Sequence, residues 1–153
     1  MQTYVTVCAF IKGAHPIPMG IVLIEKKRPA WMAGMLNLPG GHVEDSETVP
    51  AAGVRELFEE TGLSATGPVL DIGDIRPNPE AGVYILATVI EDPLFSVMSK
   101  IQDKANEMEL ALTGERPIVC SIGEALCNPH LLPDLYFVIP EALKHVINWR
   151  AGQ

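Results

Sequence analysis

Apolar positions gather first in two short runs rich in β-branched residues, TYVTVCAFI at 3–11 and GIVLIE at 20–25. The turn-forming GAHPIPM lies between them, so the pattern predicts a strand pair. LNLPGG at 36–41 then interrupts regular structure. From Thr48 to Thr61 the spacing becomes helical, with Thr48 suited to cap, Pro50 tolerated in the first turn and Gly62 suited to the left-handed position past the end. Ala51, Val54, Leu57 and Phe58 are the expected buried stripe. Gly53 inside this helix costs about 1 kcal/mol relative to alanine, and close packing there is the expected compensation.

Two further strands are predicted at 67–76 and 82–90, around the turn RPNPEAG, and another at 116–122 (RPIVCSI). The polar segment 97–109 reads either as a short helix or as a loop. A short helix is expected at 123–127 and a C-terminal helix from about Pro140, with the apolar stretch before it packed as core. Interleaved strands and helices without repeats or linkers predict one domain over residues 1–153, with α/β layers.

Composition narrows the function classes. With 153 residues and 48% hydrophobic content the chain can bury a sizeable core. Its longest apolar runs, IVLI at 21–24 and VYILATVI at 83–90, fall short of the roughly 20 residues that span a bilayer. The start, MQTYVTVCAF, lacks the charged and apolar regions of a leader, and a cytoplasmic protein is expected. Cys8, Cys120 and Cys127 lack metal-type spacing and read as buried reduced thiols. A net charge of −8 argues against binding a nucleic-acid polymer. An acidic protein that takes a phosphate compound needs a divalent cation between them.

The stretch RELFEETG, residues 55–62, concentrates acids on the predicted helix. Glu56 stands three and four positions from Glu59 and Glu60, and Arg55 four from Glu59, so these side chains share a surface. Each like-charge pair left alone costs about 0.2–0.5 kcal/mol. A solvated charged face accounts for such a run in isolation. Three carboxylates converging toward the glycine pair would instead form a hard oxygen site for Mg²⁺ or Mn²⁺.

The wider spacing decides between these readings. GHVEDSETVPAAGVRELFEETGL, residues 41–63, fits G-x5-E-x7-R-E-U-x-E-E-x-G-U, where U is aliphatic, at every fixed position. A chance match is on the order of one in a billion per starting point. The segment resembles the signature box of the Nudix hydrolases. That resemblance implies an α/β/α sandwich around a mixed sheet and Mg²⁺- or Mn²⁺-dependent hydrolysis of a nucleoside diphosphate linked to another group. It further implies Glu56, Glu59, Glu60 and the Gly40 carbonyl as metal ligands, with Arg55 holding the glutamates and Glu47 pairing with Arg55. The general base is one of these glutamates or a later acid, with Glu115, Glu107 and Glu109 as candidates.

Specificity lies outside the box. Asn37 stands where MutT-like members carry a purine-contacting asparagine, or it is a turn former before Leu-Pro-Gly-Gly. Pro133 and Asp134 resemble a Pro-Asp stretch whose acid pairs with a base edge, the competing role being a helix cap. Trp31 either stacks on a base or anchors its loop, and Lys26, Lys27 and Arg28 are within range of phosphates or form a solvated turn. Asn37, the Pro133–Asp134 stretch and KKRPAWMAGMLNLPGG, which resembles a bacterial and phage Nudix subgroup, point to a nucleoside triphosphate, oxidised purines included, cleaved to monophosphate and pyrophosphate by a monomer or homodimer. Pro79, sixteen residues past Leu63, instead resembles a mark of ADP-ribose-cleaving members. A non-hydrolytic ligand sensor is the remaining class.

Overall fold

The computed structural model describes residues 2–111 and 114–153. Strand β1 (Gln2–Ile11) lies at the centre of the sheet. It pairs in parallel with β6 (Ala81–Ile90) over its full length, from Gln2↔Ala81 to Ile11↔Ile90. Its other edge is shared. β4 (Gly40–His42) takes Tyr4 to Thr6, and β2 (Gly20–Glu25) takes Phe10 and Ile11. β2 splays away from β1 there and pairs with β3 (Leu36–Asn37) on one side and β7 (Arg116–Ser121) on the other. β5 (Leu70–Asn78) closes the far edge against β6. One parallel pair among antiparallel ones makes the sheet mixed.

Alternation along β1 builds the two cores. Val7, Ala9 and Ile11 meet Leu57 of α1 (Val49–Thr61) and Val97 and Ile101 of α2 (Leu94–Leu110) on one face. Cys8 and Phe10 point to the other, where Ala125 of α3 (Ile122–Cys127) and Leu135, Ile139, Ala142 and Val146 of α4 (Leu135–Ala151) cover them. The expected α/β/α sandwich is present. Among the described residues no helix is long and apolar enough to cross a membrane.

Several expectations need correction. The buried face of α1 is Ala52, Gly53, Leu57 and Thr61, whereas Ala51 is exposed and Phe58 is 55% exposed. The helix is rotated about one residue from the expected stripe, which turns Glu56 and Glu60 inward beside the core. α4 begins at Leu135, five residues before Pro140, because the stripe Leu135, Ile139, Ala142, Val146 outweighs one missing helix hydrogen bond at an exposed proline. The segment around 97–109 is helical from Leu94. RPNPEAG is strand at both ends, leaving Pro79 and Glu80 as the turn. Cys8 is buried and its thiol is pushed up to about 12 by desolvation, but Cys127 is exposed.

Three expectations hold in detail. Thr48 Oγ1 accepts from the Ala51 N–H at 3.2 Å, and Gly62 ends α1 at φ 77°. A methyl at Gly53 would lie 2.6 Å from Leu86 Cδ1, so helix and sheet approach closely there.

Candidate active site

α1 is aimed by its two ends and by one arginine. Arg55 Nε and Nη2 donate to the two Glu47 oxygens at 2.7 and 2.9 Å, a bidentate fork. Its Nη2 also donates to the His42 carbonyl at 3.0 Å, and its Nη1 reaches Glu56 at 3.0 Å and Glu59 at 3.2 Å. This guanidinium holds Glu47 down to about 2 and is itself held more firmly protonated. Arg55 therefore ties three acids of the box to the β4 backbone. Lysine carries one compact charge and cannot span these partners. Arg55→Lys is expected to lower turnover roughly 10- to 100-fold, as loss of a group orienting metal ligands does, with little change in melting temperature. An unaltered kcat/KM would remove Arg55 from the positioning role.

Glu60 is treated differently. Its Oε1 accepts from the Gly40 N–H at 3.0 Å, and burial raises its pKa to about 8, with Glu56 and Glu115 adding to the rise and Gly40 and Lys26 opposing it. A carboxyl desolvated this far ionises readily only when a cation compensates it. Glycine is required at Gly40, where the neighbour is backbone, and at Gly41 a side chain would displace the Glu56 carboxylate. A methyl at Gly40 would strike the Val5 carbonyl oxygen, and one at Gly41 would sit 2.5 Å from Glu56 Oε1.

Gly40, Glu56 and Glu60 line a cavity of about 320 Å³ with Ile24, Lys26, Arg28, Met108 and Glu115. Glu115 enters because β7 pairs with β2 in the register Glu25↔Arg116, which sets it beside Lys26, and Lys26 Nζ meets Glu115 Oε2 at 2.7 Å. Of the later acids only Glu115 lines this cavity. Glu109 is exposed, and Glu107 is exposed and paired with Lys104.

The specificity candidates do not gather in one place. Asn37 lies opposite Ile24, a cavity-lining residue, and its Oδ1 accepts from the Leu38 N–H at 2.8 Å. Trp31 is 70% exposed in a 3₁₀ turn that buries none of its residues, so it does not anchor the loop. Asp134 precedes α4 without a side-chain capping bond and lines a second cavity, of about 260 Å³, with Ile75, Arg76, Pro77, Phe137 and Val138. Three members of that cavity escape sequence reasoning. Arg76 and Pro77 lie in a stretch that reads as a turn, and Phe137, which reads as core, is 81% exposed. The helical spacing of Leu135, Ile139, Ala142 and Val146, which leaves Phe137 off the buried face, is the signal that could have shown it.

The donor set fits a hard divalent cation. It consists of carboxylates and a backbone carbonyl, one carboxylate is desolvated, and glycines leave room for the ligand side chains. Among the described residues no three acidic, imidazole or thiol side chains are already grouped to hold an ion. Their present partners explain this: Arg55 holds Glu56 and Glu59, the Gly40 amide holds Glu60, and Lys26 holds Glu115.

A helix bearing Arg55-braced carboxylates thus stands over a glycine loop that pairs with the central strand of a mixed sheet. Residues 3–109 match the NUDIX domain family, and the chain belongs to it. The mouse ADP-sugar pyrophosphatase is 26% identical over 138 residues, covering 74% of this chain and 62% of that protein. A Mycobacterium tuberculosis protein named for 8-oxo-dGTP diphosphatase activity is 39% identical over 64 residues, covering 42% of this chain and 44% of its own. The chain thus spans less than two thirds of either relative. A mutT/nudix family protein from Listeria innocua has the same fold, with a TM-score of 0.71 at 18% identity, covering 99% of this chain and 98% of that one.

Proposed function

We propose that the chain is a metal-dependent pyrophosphohydrolase that cleaves a phosphoanhydride of a nucleoside triphosphate, releasing monophosphate and pyrophosphate. The observation that carries this reading is the meeting, in one cavity, of Gly40, Glu56 and Glu60 from the box with Glu115, Lys26 and Arg28 from outside it. Glu56, Glu59, Glu60 and the Gly40 carbonyl would hold Mg²⁺ or Mn²⁺. A bound ion there supplies charge neutralisation of the phosphate chain and acidifies water.

The protein's own residues supply the rest. Arg55 fixes the box acids, and Arg28, whose side chain has no ion-pair partner among the described residues, faces the phosphates. Glu115 takes the proton of the attacking water. The water oxygen forms a new bond to phosphorus as the bridging P–O bond breaks, and the pyrophosphate leaves with the electron pair.

The second cavity supports base recognition. Phe137 offers a stacking face, and Asp134 and Arg76 are an acceptor and a donor with no side-chain partner among the described residues. Asp134→Ala is expected to raise the KM for purine triphosphates about tenfold, the loss of one hydrogen bond to a charged group, with pyrimidine substrates less affected. Equal losses for both would make Asp134 a helix-start residue only.

The breadth of the match to the mouse relative favours a second reading, hydrolysis of an ADP-sugar or ADP-ribose. A panel of canonical and oxidised nucleoside triphosphates, ADP-ribose and nucleotide sugars with Mg²⁺ separates the two. Selective triphosphate cleavage supports the first and selective ADP-ribose or ADP-sugar cleavage the second. Ligand binding without cleavage would turn the domain into a sensor despite its full set of box acids.

A further inference from the structure

The Lys26–Glu115 pair stands out in the cleft because the resemblance to the family does not explain it. Its atoms are 2.7 Å apart and its side chains are only 22% and 18% exposed, so neither charge is well solvated. Removing one partner from such a pair strands the other, and the pair opens only when a substitute charge arrives. We propose that Lys26 is a placeholder cation: it neutralises Glu115 until a divalent ion enters the cleft, and it then passes to the phosphate chain of the substrate. This inference rests on the metal-dependent reading above and concerns how the same site changes partners.

Three observations carry it. The cavity wall holds three carboxylates, Glu56, Glu60 and Glu115, against two side-chain cations, Lys26 and Arg28. A divalent ion supplies the acids with two positive charges at a shorter distance and leaves the ammonium redundant among them. The backbone of Lys26 is pinned, with its N–H donating to Met35 O at 2.8 Å and its carbonyl accepting from Gly34 N–H at 2.9 Å. Only the side chain can move, and a four-carbon stem carrying a point charge is suited to swinging between two anions. Arg55, by contrast, is locked by five hydrogen bonds and cannot exchange.

The exchange is tested on the full chain by titrating Mn²⁺ into the metal-free protein without nucleotide, reading free Mn²⁺ by electron paramagnetic resonance. Lys26→Gln removes the competitor and is expected to tighten Mn²⁺ binding about 3- to 10-fold while raising the KM for the cleaved nucleotide at least as much. Lys26→Arg, which keeps the charge, is expected to bind Mn²⁺ like the wild type. Arg28→Gln removes from the same wall a charge with no ion-pair partner among the described residues and is expected to shift Mn²⁺ affinity less than 2-fold, as is Lys27→Gln outside it. In a Glu115→Gln background the gain from Lys26→Gln should vanish.

Unchanged or weaker Mn²⁺ binding by Lys26→Gln, or equal tightening by Arg28→Gln, overturns the exchange and leaves the hydrolase reading standing. A wild-type chain that bound no Mn²⁺ and cleaved no anhydride would overturn that reading and this one together.

Discussion

Glu60→Gln is expected to lose metal-dependent turnover by roughly three orders of magnitude and, unlike most active-site variants, to melt at a higher temperature than the wild type in alkaline metal-free buffer. The first effect follows from removing a ligand charge, since metal stabilisation of a transition state is worth several kcal/mol and about 1.4 kcal/mol is tenfold. The second follows from burial, which raises the Glu60 carboxyl to about 8. In the unfolded chain the same group titrates near its ordinary value of 4.5. Below that value both states carry the proton and the site costs the fold nothing. As the pH rises through about 8 the folded protein must ionise a desolvated carboxyl, and stability is lost. Glutamine has no such titration and retains an oxygen to accept from the Gly40 N–H. Thermal melts in EDTA should coincide for the two proteins near pH 4 and separate by pH 9, with the variant higher. A gap that stays constant with pH would sink the burial argument, and near-normal turnover would sink the ligand assignment.

Gly40→Ala is expected to have the second largest effect, through the fold as well as the site. Its methyl would drive into the Val5 carbonyl oxygen, a backbone atom that cannot swing aside. Relief requires β4 to part from β1 at the Thr6↔Gly40 pair, which also withdraws the N–H that holds Glu60. Steric insertions of this kind cost about 1–3 kcal/mol, and each kcal/mol lowers the melting temperature of a chain this size by about 2–4 °C. Weaker Mn²⁺ binding should accompany the shift. A melting temperature within 1 °C of the wild type would mean that the strand edge yields freely, contrary to the contact.

The box was legible because its chemistry is local. Cap, glycine stop, arginine and three glutamates fall within two dozen residues, and helical spacing alone brings them together. The orientation of α1 departs from its apolar stripe because the face bearing Glu56 and Glu60 competes with apolar residues for the inward direction, leaving Phe58 outside. The Lys26–Glu115 contact was beyond sequence reasoning for another reason. It joins positions 89 residues apart through the β2–β7 register, which no periodicity encodes. The second cavity shares that origin, since β5 contributes Arg76 and the start of α4 contributes Asp134 and Phe137.

The parallel pairing of β1 with β6 bears on how the protein is made. β1 is mostly buried and carries Val5, Val7, Ala9 and Ile11 on one face and Cys8 and Phe10 on the other, yet its long partner begins 79 residues later. At ribosomal speeds of about 5–20 residues per second, that strand waits roughly 4–16 s for its partner to be synthesised. During that interval a sticky strand with its β6 edge unpaired is tethered to a growing chain. Refolding from denaturant should accordingly grow less efficient as protein concentration rises, and a holdase chaperone present during translation should improve the yield of folded protein more than one added afterwards.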